Sequence, residues 1–404
     1  MIHQVGFLPR LLYIGDVPVE ATAHGSALLY RLLQGYQPEK LMIIEGNLQR
    51  PTPTLRLSSI QYRQLNMGWE RPLRSRFNWL WSPWVAYLAR FKFRAVAKLV
   101  HDFEPEAVLT VYQGYSWLTA ARFAQRRGLP LHLILHDDWN PLTPMFRPWL
   151  ERQFTTIYRQ AASRLCVSPY MEQAYVKRYG ARGTVLYPSR AKNCIAYESP
   201  PERLRQRSAQ FTMVYAGNII TSGYWKALRR VAEALLPLGG RLIVYSPHTL
   251  EQARVKGLTI ENVDCRGFIK SEELVDRLRA EADVLFVPMS FDTADRPNME
   301  VGFPSKLTDA TIPGVPLLIF GPDYCSAVRW ASENPGVAEV VSREDSGLLA
   351  AALQRLTEPA HRWRLGEVAR LKGKEFFSHS VAERILQKVL TIGSSLGVGG
   401  PSPS

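Results

Sequence analysis

The stretch Gly302-Phe-Pro-Ser-Lys-Leu-Thr-Asp-Ala-Thr-Ile-Pro-Gly-Val-Pro316 reads as a loop, a short helix, an abrupt stop and the start of a strand. Ser305 is a suitable N-cap. Residues Lys306 to Thr311 suffice for about two helical turns, and Pro313-Gly314 ends them. Val315-Pro-Leu-Leu-Ile-Phe320 is then an apolar run of strand length. Such a unit aims free backbone N–H groups and the positive end of a helix into a cleft, where they suit a phosphate. Asp309, about one turn inside, is placed to accept hydrogen bonds from a sugar diol. A plainer reading makes it a dipole-favoured carboxylate at a helix start. The surrounding segments decide between the two.

Upstream of this stretch, Phe211-Thr-Met-Val-Tyr-Ala216 predicts a strand, followed by Gly217-Asn218 and a helix over Ala227–Leu236. Lys226 then falls near a helix start, where it opposes the dipole unless an anion compensates it. The alternative is a solvated lysine. Arg241–Tyr245 and Ala282–Pro288 are further strands, and Val263–Lys270 leads to a helix over Ser271–Ala280. Amphipathic helices follow over Leu348–Arg364 and near Val381–Leu390.

The first half alternates in the same way. Leu11–Gly15, Ala107–Tyr112, Leu131–Leu135, Arg164–Ser168 and Thr184–Pro188 read as strands, with helices over Ala27–Leu33, Trp117–Gln125 and Pro169–Tyr179. Ser168 is expected to cap the last of these and Gly180 to end it. Alternating strands and helices argue for parallel, doubly wound sheets. Ligands of such sheets bind beyond the carboxyl ends of the strands. The loop ending in His24-Gly25-Ser26 and the sequence His136-Asp137-Asp138-Trp139 occupy such places. His136 and Asp137 are candidates for substrate contact or proton handling; a loop-capping turn with an exposed histidine is the alternative.

Residues 71–98 differ from the rest. Arg71, Arg74, Arg76, Arg90, Lys92, Arg94 and Lys98 occur there with no acidic residue, interleaved with Phe77, Trp79, Trp81, Trp84, Tyr87, Phe91 and Phe93. From Pro83 on, Trp84, Tyr87, Leu88, Phe91 and Ala95 would share one helix face. A basic helix with Trp and Phe on its apolar face suits an anionic membrane surface. An ordinary packed helix with solvated charges is the other reading, and bases stacking on the aromatics a third.

With 404 residues, 46% of them hydrophobic, the chain can bury two cores. The boundaries expected are an N-terminal Rossmann-like domain over 1–198, a proline-bearing charged linker over 199–210 and a second Rossmann-like domain over 211–375. A helix over 376–392, able to cross back to the first domain, and a disordered tail over 393–404 follow. Cys166, Cys194, Cys265 and Cys325 have no metal-type spacing and fit a reduced, cytoplasmic protein. Neither a signal peptide nor a membrane-spanning run is found. A net charge of +14 implies attraction to an anion: nucleotide, nucleic acid or acidic lipid.

The ordered set of motifs resembles the GT-B fold glycosyltransferases, in particular the large retaining family that uses nucleotide-sugars, glycosyltransferase family 4. Val167-Ser168, Met171, Tyr179-Gly180 and Val185-Leu-Tyr-Pro188 resemble the end of that family's acceptor domain. Tyr215-Ala-Gly217 with Lys226 resembles its phosphate-binding Gly and Lys. Gly267-Phe268-Ile269 and Ala282-Asp283 through Pro288 resemble its base-contact loop and the next strand, and the opening stretch resembles its donor-binding helix. The family often carries two Glu eight positions apart. Here Asp309 stands at the second position and Val301 at the first, beside Glu300; Asn218 stands where an Arg is common, and His24-Gly25 where a Gly pair is.

The resemblance implies transfer of a sugar from a nucleotide diphosphate sugar to the hydroxyl of a sugar, glycolipid or other acceptor, with retention and without metal or cofactor. It implies catalytic roles for His136, Asp137 and Lys226. Substrate contacts would come from His24, Gly25, Gly217, Asn218, Phe268, Ile269, Glu300, Phe303, Pro304, Ser305, Lys306 and Asp309, with Asp309 on the ribose. The basic segment 71–98 would dock the protein on the inner membrane face, near a lipid-linked acceptor used in cell-surface polysaccharide or glycolipid synthesis. Rival readings are a nucleotide-sugar epimerase or non-catalytic relative on the same fold, and a basic nucleic-acid-binding protein, although no nucleic-acid motif is found.

Overall fold

Continuous apolar runs separated by amphipathic helices build two parallel sheets. The computed structural model describes residues 8–22, 24–47, 52–68, 75–138, 146–269 and 271–394. Arg71, Arg74, Trp139, Lys270 and the tail from 395 lie outside them. The chain divides into two units, one comprising the residues up to Lys192 with those from His379 on, the other Asn193–Ser378.

In the first unit the strands are β1 (Leu11–Gly15), β2 (Leu41–Gly46), β3 (Gln61–Leu65), β4 (Ala107–Val111), β5 (Leu131–Leu135), β6 (Ser163–Cys166) and β7 (Thr184–Val185). They form one sheet in the order β3-β2-β1-β4-β5-β6-β7, and every pairing is parallel. The helices are α1 (His24–Leu33), α2 (Asn78–Ala89), α3 (Phe93–Leu99), α4 (Ser116–Arg127), α5 (Arg147–Gln160) and α6 (Pro169–Tyr179). Strands β1, β4 and β5 are buried along their whole length, as helices on both faces of a parallel sheet require. Ser168 caps α6 by accepting the Met171 N–H at 2.9 Å, and Gly180 ends it with φ +77°.

In the second unit the strands are β8 (Thr212–Ala216), β9 (Arg241–Tyr245), β10 (Val263–Gly267), β11 (Val284–Pro288), β12 (Leu317–Phe320) and β13 (Glu339–Val341). Their order is β10-β9-β8-β11-β12-β13, again parallel. Its helices are α7 (Ser222–Leu235), α8 (Leu250–Val255), α9 (Ser271–Glu281), α10 (Arg296–Val301), α11 (Ser305–Ala310), α12 (Ser326–Glu333), α13 (Ser346–Leu356) and α14 (Pro359–Phe377). Val231 and Leu235 of α7 and Leu349 and Leu353 of α13 pack with Tyr215 and Phe286 of the sheet. The last helix, α15 (His379–Ser394), returns to the first unit, where Ala382, Leu386 and Leu390 join Leu11, Leu109 and Leu165 in one core.

Several elements depart from the sequence reading. Helix α7 begins at Ser222 rather than Ala227, because Gly223 lets its first turn lie against Ser290: a Cβ there would stand 1.8 Å from the Ser290 Oγ. Ser305 is the first residue of α11 and Pro304 its cap, without a side-chain capping bond. The helix expected from Pro83 onward is two helices, α2 and α3, broken at residues 90–92. Strands β2, β3, β10 and β13 arise in segments where no strand was expected. Strands β3 and β10 are edge strands carrying polar residues, so they lack the apolar run that marks the central ones.

Candidate functional site

In each sheet the strand order reverses once, between β1 and β4 in the first and between β8 and β11 in the second. Such a switch point opens a crevice at the carboxyl ends of the two flanking strands. The residues that follow those strands are therefore the ones to inspect.

In the second unit, β8 runs into Gly217, whose φ of +145° is one that a side chain would strain. A Cβ there would also lie 2.7 Å from the Lys306 Cε. Lys306 comes from the first turn of α11 and passes beneath this loop. Its Nζ donates to the Asn218 carbonyl at 3.0 Å and to the Tyr215 Oη. The Tyr215 hydroxyl in turn donates to the same carbonyl at 2.8 Å. The ammonium also lies 4.6 Å from the centre of the Tyr224 ring. Among the described residues no carboxylate pairs with it. Burial accordingly pushes its pKa down to about 7, since desolvation disfavours the charged form. The Asn218 side chain lies 3.0 Å from His248 Nε2, and that ring packs on Trp225.

Lys226 sits one turn inside α7, and its Nζ is 2.6 Å from Asp292 Oδ1 in an exposed ion pair. Hydrogen bonds from Lys226 and then Ser222 hold the Asp292 carboxyl below its usual range. The lysine is thus compensated by a carboxylate rather than standing alone against the helix dipole. The remaining candidates sort by environment. Phe303 is buried against Trp330 and Phe377, so its ring faces the core rather than a ligand. Glu300 pairs with Arg296 at 3.5 Å on α10. Pro304 and Ser305 form the entry to α11, and Asp309 is its fifth residue, partly buried. Phe268 is exposed and Ile269 partly so, just beyond the end of β10.

In the first unit, His136 follows β5 and is 8% exposed. Its Nε2 is 2.8 Å from Gln113 Oε1 and 3.5 Å from the exposed Asp137 carboxylate. Gly25, in the first turn of α1, lies against the same ring: a Cβ there would stand 2.7 Å from Nε2. So Gly25, His136 and Asp137 come together, and His24 opens the same helix. Asp138 instead binds Tyr175 and Arg178, at 3.0 and 2.9 Å.

Sequence reasoning passed over Asp16, which lies at the switch point itself. Its buried carboxylate accepts the backbone N–H groups of Tyr115 and Ser116 at 2.6 and 2.7 Å and the Ser116 hydroxyl at 2.7 Å, at the start of α4. Burial raises its pKa, and the three hydrogen bonds oppose that rise. Gly46 and Gly114 leave room for it. An Asp ending the first strand of a doubly wound sheet was the available signal. Lys306 was expected to act through its backbone, and the placement of its ammonium depends on Tyr215, ninety-one residues away in sequence. No group of three or more His, Cys, Asp or Glu among the described residues could hold a metal ion.

Residues 54–189 match the family described as Glycosyltransferase Family 4. The fold is similar to that of Anabaena HepE, solved with UDP and glucose, at a TM-score of 0.68 and 14% identity, covering 95% of this chain and 99% of that one. It is similar to sucrose-phosphate synthase from Thermosynechococcus elongatus (0.64, 15% identity, 94% and 98% coverage). It is also similar to α,α-trehalose 6-phosphate synthase from Burkholderia multivorans (0.64, 14% identity, 98% and 100% coverage). No curated protein matches the chain in sequence. Two Rossmann-like units of this topology give the chain the GT-B fold.

Proposed function

We propose that this protein transfers a hexosyl group from a nucleotide diphosphate sugar to an acceptor hydroxyl, with retention. The observation that carries the reading is the Gly217–Lys306 contact at the β8/β11 switch point. There a partly exposed loop is backed by a cation that pairs with no carboxylate among the described residues. HepE, similar in fold, is solved with UDP-glucose and with UDP, which supports a nucleotide diphosphate sugar as the donor.

A diphosphate leaving group gains charge as the glycosidic bond breaks, so cations aimed at it stabilise the transition state more than the ground state. Lys306 and Lys226 are the two candidates, with the backbone of Ser305 and Lys306 adding dipoles. Asp309 would accept from the ribose, and Phe268 and Ile269 would flank the base. Gly217 and Asn218 would contact the phosphates. Glu300, Phe303 and Pro304 would shape the sugar end of that site, Phe303 and Pro304 through backbone. His136 and Asp137, with His24 and Gly25, would serve the reacting sugar and the acceptor. The exposed aromatic face of α2 and the basic residues of 71–98 favour work at an anionic membrane surface on the cytoplasmic side. A glycolipid acceptor in cell-surface polysaccharide or glycolipid synthesis is the reading this supports.

The test is a thermal-stability screen with nucleotide diphosphates and nucleotide-sugars, followed by a transfer assay with the best donor. A ligand at a hundred times its Kd should stabilise the fold by about 2.7 kcal/mol. No stabilisation by any nucleotide diphosphate, and no sugar transfer, would overturn the reading.

A further inference from the structure

A cavity of about 750 Å³ lies in the first unit, between the α2–α3 junction, the second halves of α4 and α5, and the amino end of β5. His136 and Asp137 follow the opposite, carboxyl end of that strand, so the cavity is separate from the candidate site. Four arginines line it, Arg90, Arg94, Arg122 and Arg126, and among the described residues no Asp or Glu does. None of the four has a carboxylate partner among the described residues. Instead three of them lie on aromatic rings: Arg90 is 4.0 Å from the centre of Tyr87 and 4.7 Å from that of Phe91, and Arg94 and Arg126 are 5.8 and 5.6 Å from that of Phe93, while Arg122 donates to Gln125 Oε1.

Helix α2, beside this cavity, is turned the unusual way round. It buries Ser82, Val85, Ala86 and Ala89, while Trp79 is 52% exposed, Trp84 59% and the following Phe91 50%. The small residues fit closely, as the bond from Thr119 Oγ1 to the Ala89 carbonyl at 2.7 Å shows. Of these exposed rings, Phe91 lines the four-arginine cavity, and Trp84 lies on the helix that leads into it.

We propose that this cavity binds the head group of an anionic phospholipid, while the aromatic face of α2 enters the leaflet. The inference rests on the membrane-docking reading given above and goes beyond it by assigning the lipid a site. Four cations call for an anionic ligand, and arginine favours phosphate. The volume is in the range of ligand pockets. The apolar walls formed by Phe91, Phe93 and Ile157 would have no use in holding a free anion, and they suit the glycerol and the roots of the acyl chains. The exposed Phe91 ring lines the cavity and α2 ends beside it, as they must if the same lipid belongs to a bilayer.

The experiment uses the full chain and the substitutions Arg122→Gln with Arg126→Gln, both on the exposed side of α4 and outside residues 71–98. Sedimentation with phosphatidylcholine vesicles, with and without phosphatidylglycerol, is compared with Trp84→Ala. Removing a basic residue at an anionic surface should weaken binding about fivefold, so roughly 25-fold for the pair. Arg94→Gln alone, expected to lose about fivefold, provides the same reading should the double variant fold poorly. Short-chain phosphatidylglycerol below its micelle concentration should shift the wild-type tryptophan fluorescence and not that of the double variant.

An unchanged lipid preference in the double variant, with binding lost in Trp84→Ala, overturns the cavity assignment and leaves docking through α2 standing. Equal binding to neutral and anionic vesicles overturns both. Inorganic phosphate reproducing the fluorescence response, or a single-stranded RNA displacing the short-chain lipid, shows a site for another anion and overturns the proposal. Sugar transfer to a soluble acceptor should be the same in the double variant as in wild type. Its loss in all proteins would discredit the catalytic reading without touching this one.

Discussion

The ammonium of Lys306 donates to the phenol oxygen of Tyr215 and lies 4.7 Å from the centre of that ring. The two residues belong to α11 and β8 and join the two loops at the switch point of the second sheet. A lysine without a carboxylate is costly to bury in its charged form. It is retained where a fixed cation, or a cation that forms only when an anion arrives, is of use.

The stability of the protein should therefore carry a signature of Lys306. Its folded pKa, about 7, is depressed from an ordinary 10.5. Below pH 7 the folded protein must hold the buried charge, so the cost is full. Between pH 7 and about 10.5 the unfolded state binds the extra proton, and stability rises with pH. The slope approaches about 1.4 kcal/mol per unit. Burial raises the pKa of both Tyr215 and Tyr224, which face the ammonium, so they stay neutral between pH 7 and 9. Lys306→Met should remove that slope in urea titrations between pH 7 and 9. Parallel curves for the two proteins would show that the ammonium is solvated.

Lys226 is expected to matter more for rate than for stability. Its exposed pair with Asp292 is worth at most about 1 kcal/mol. Lys226→Ala should leave the melting temperature nearly unchanged and lower kcat more than it raises KM, because the leaving-group charge grows in the transition state. Wild-type kcat in that variant would show that the lysine serves only its surface ion pair.

Asp309→Ala should weaken nucleotide diphosphate binding by about 1.5–3 kcal/mol, the worth of a hydrogen bond to a charged group. Calorimetry with the free nucleotide reads this directly. Unchanged affinity would remove Asp309 from the ribose.

His136→Ala and Asp137→Ala should slow sugar transfer while nucleotide diphosphate affinity stays near wild type, since both belong to the first unit and the proposed nucleotide residues to the second. A fall in nucleotide affinity parallel to the fall in rate would contradict this division of labour.

What the sequence by itself determined is the architecture and the position of most candidates along it. Buried parallel strands such as Leu131–Leu135 are apolar throughout, and helix ends such as Ser168 and Gly180 announce themselves through local hydrogen bonding and backbone conformation. These are near-neighbour effects, legible in a line of residues. The same logic put Gly25 and His136 at strand ends, where the fold joins them. Tertiary structure alone decided which side chains face which environment. Lys226 and Lys306 are equally basic in sequence, yet one meets Asp292 in water and the other a tyrosine under Gly217. Phe303 turned to the core, against Trp330 and Phe377, and Trp84 turned to solvent because α2 buries its opposite side through Ser82, Val85 and Ala86. Burial and pairing arise from residues brought together across tens of positions, and no local pattern encodes them.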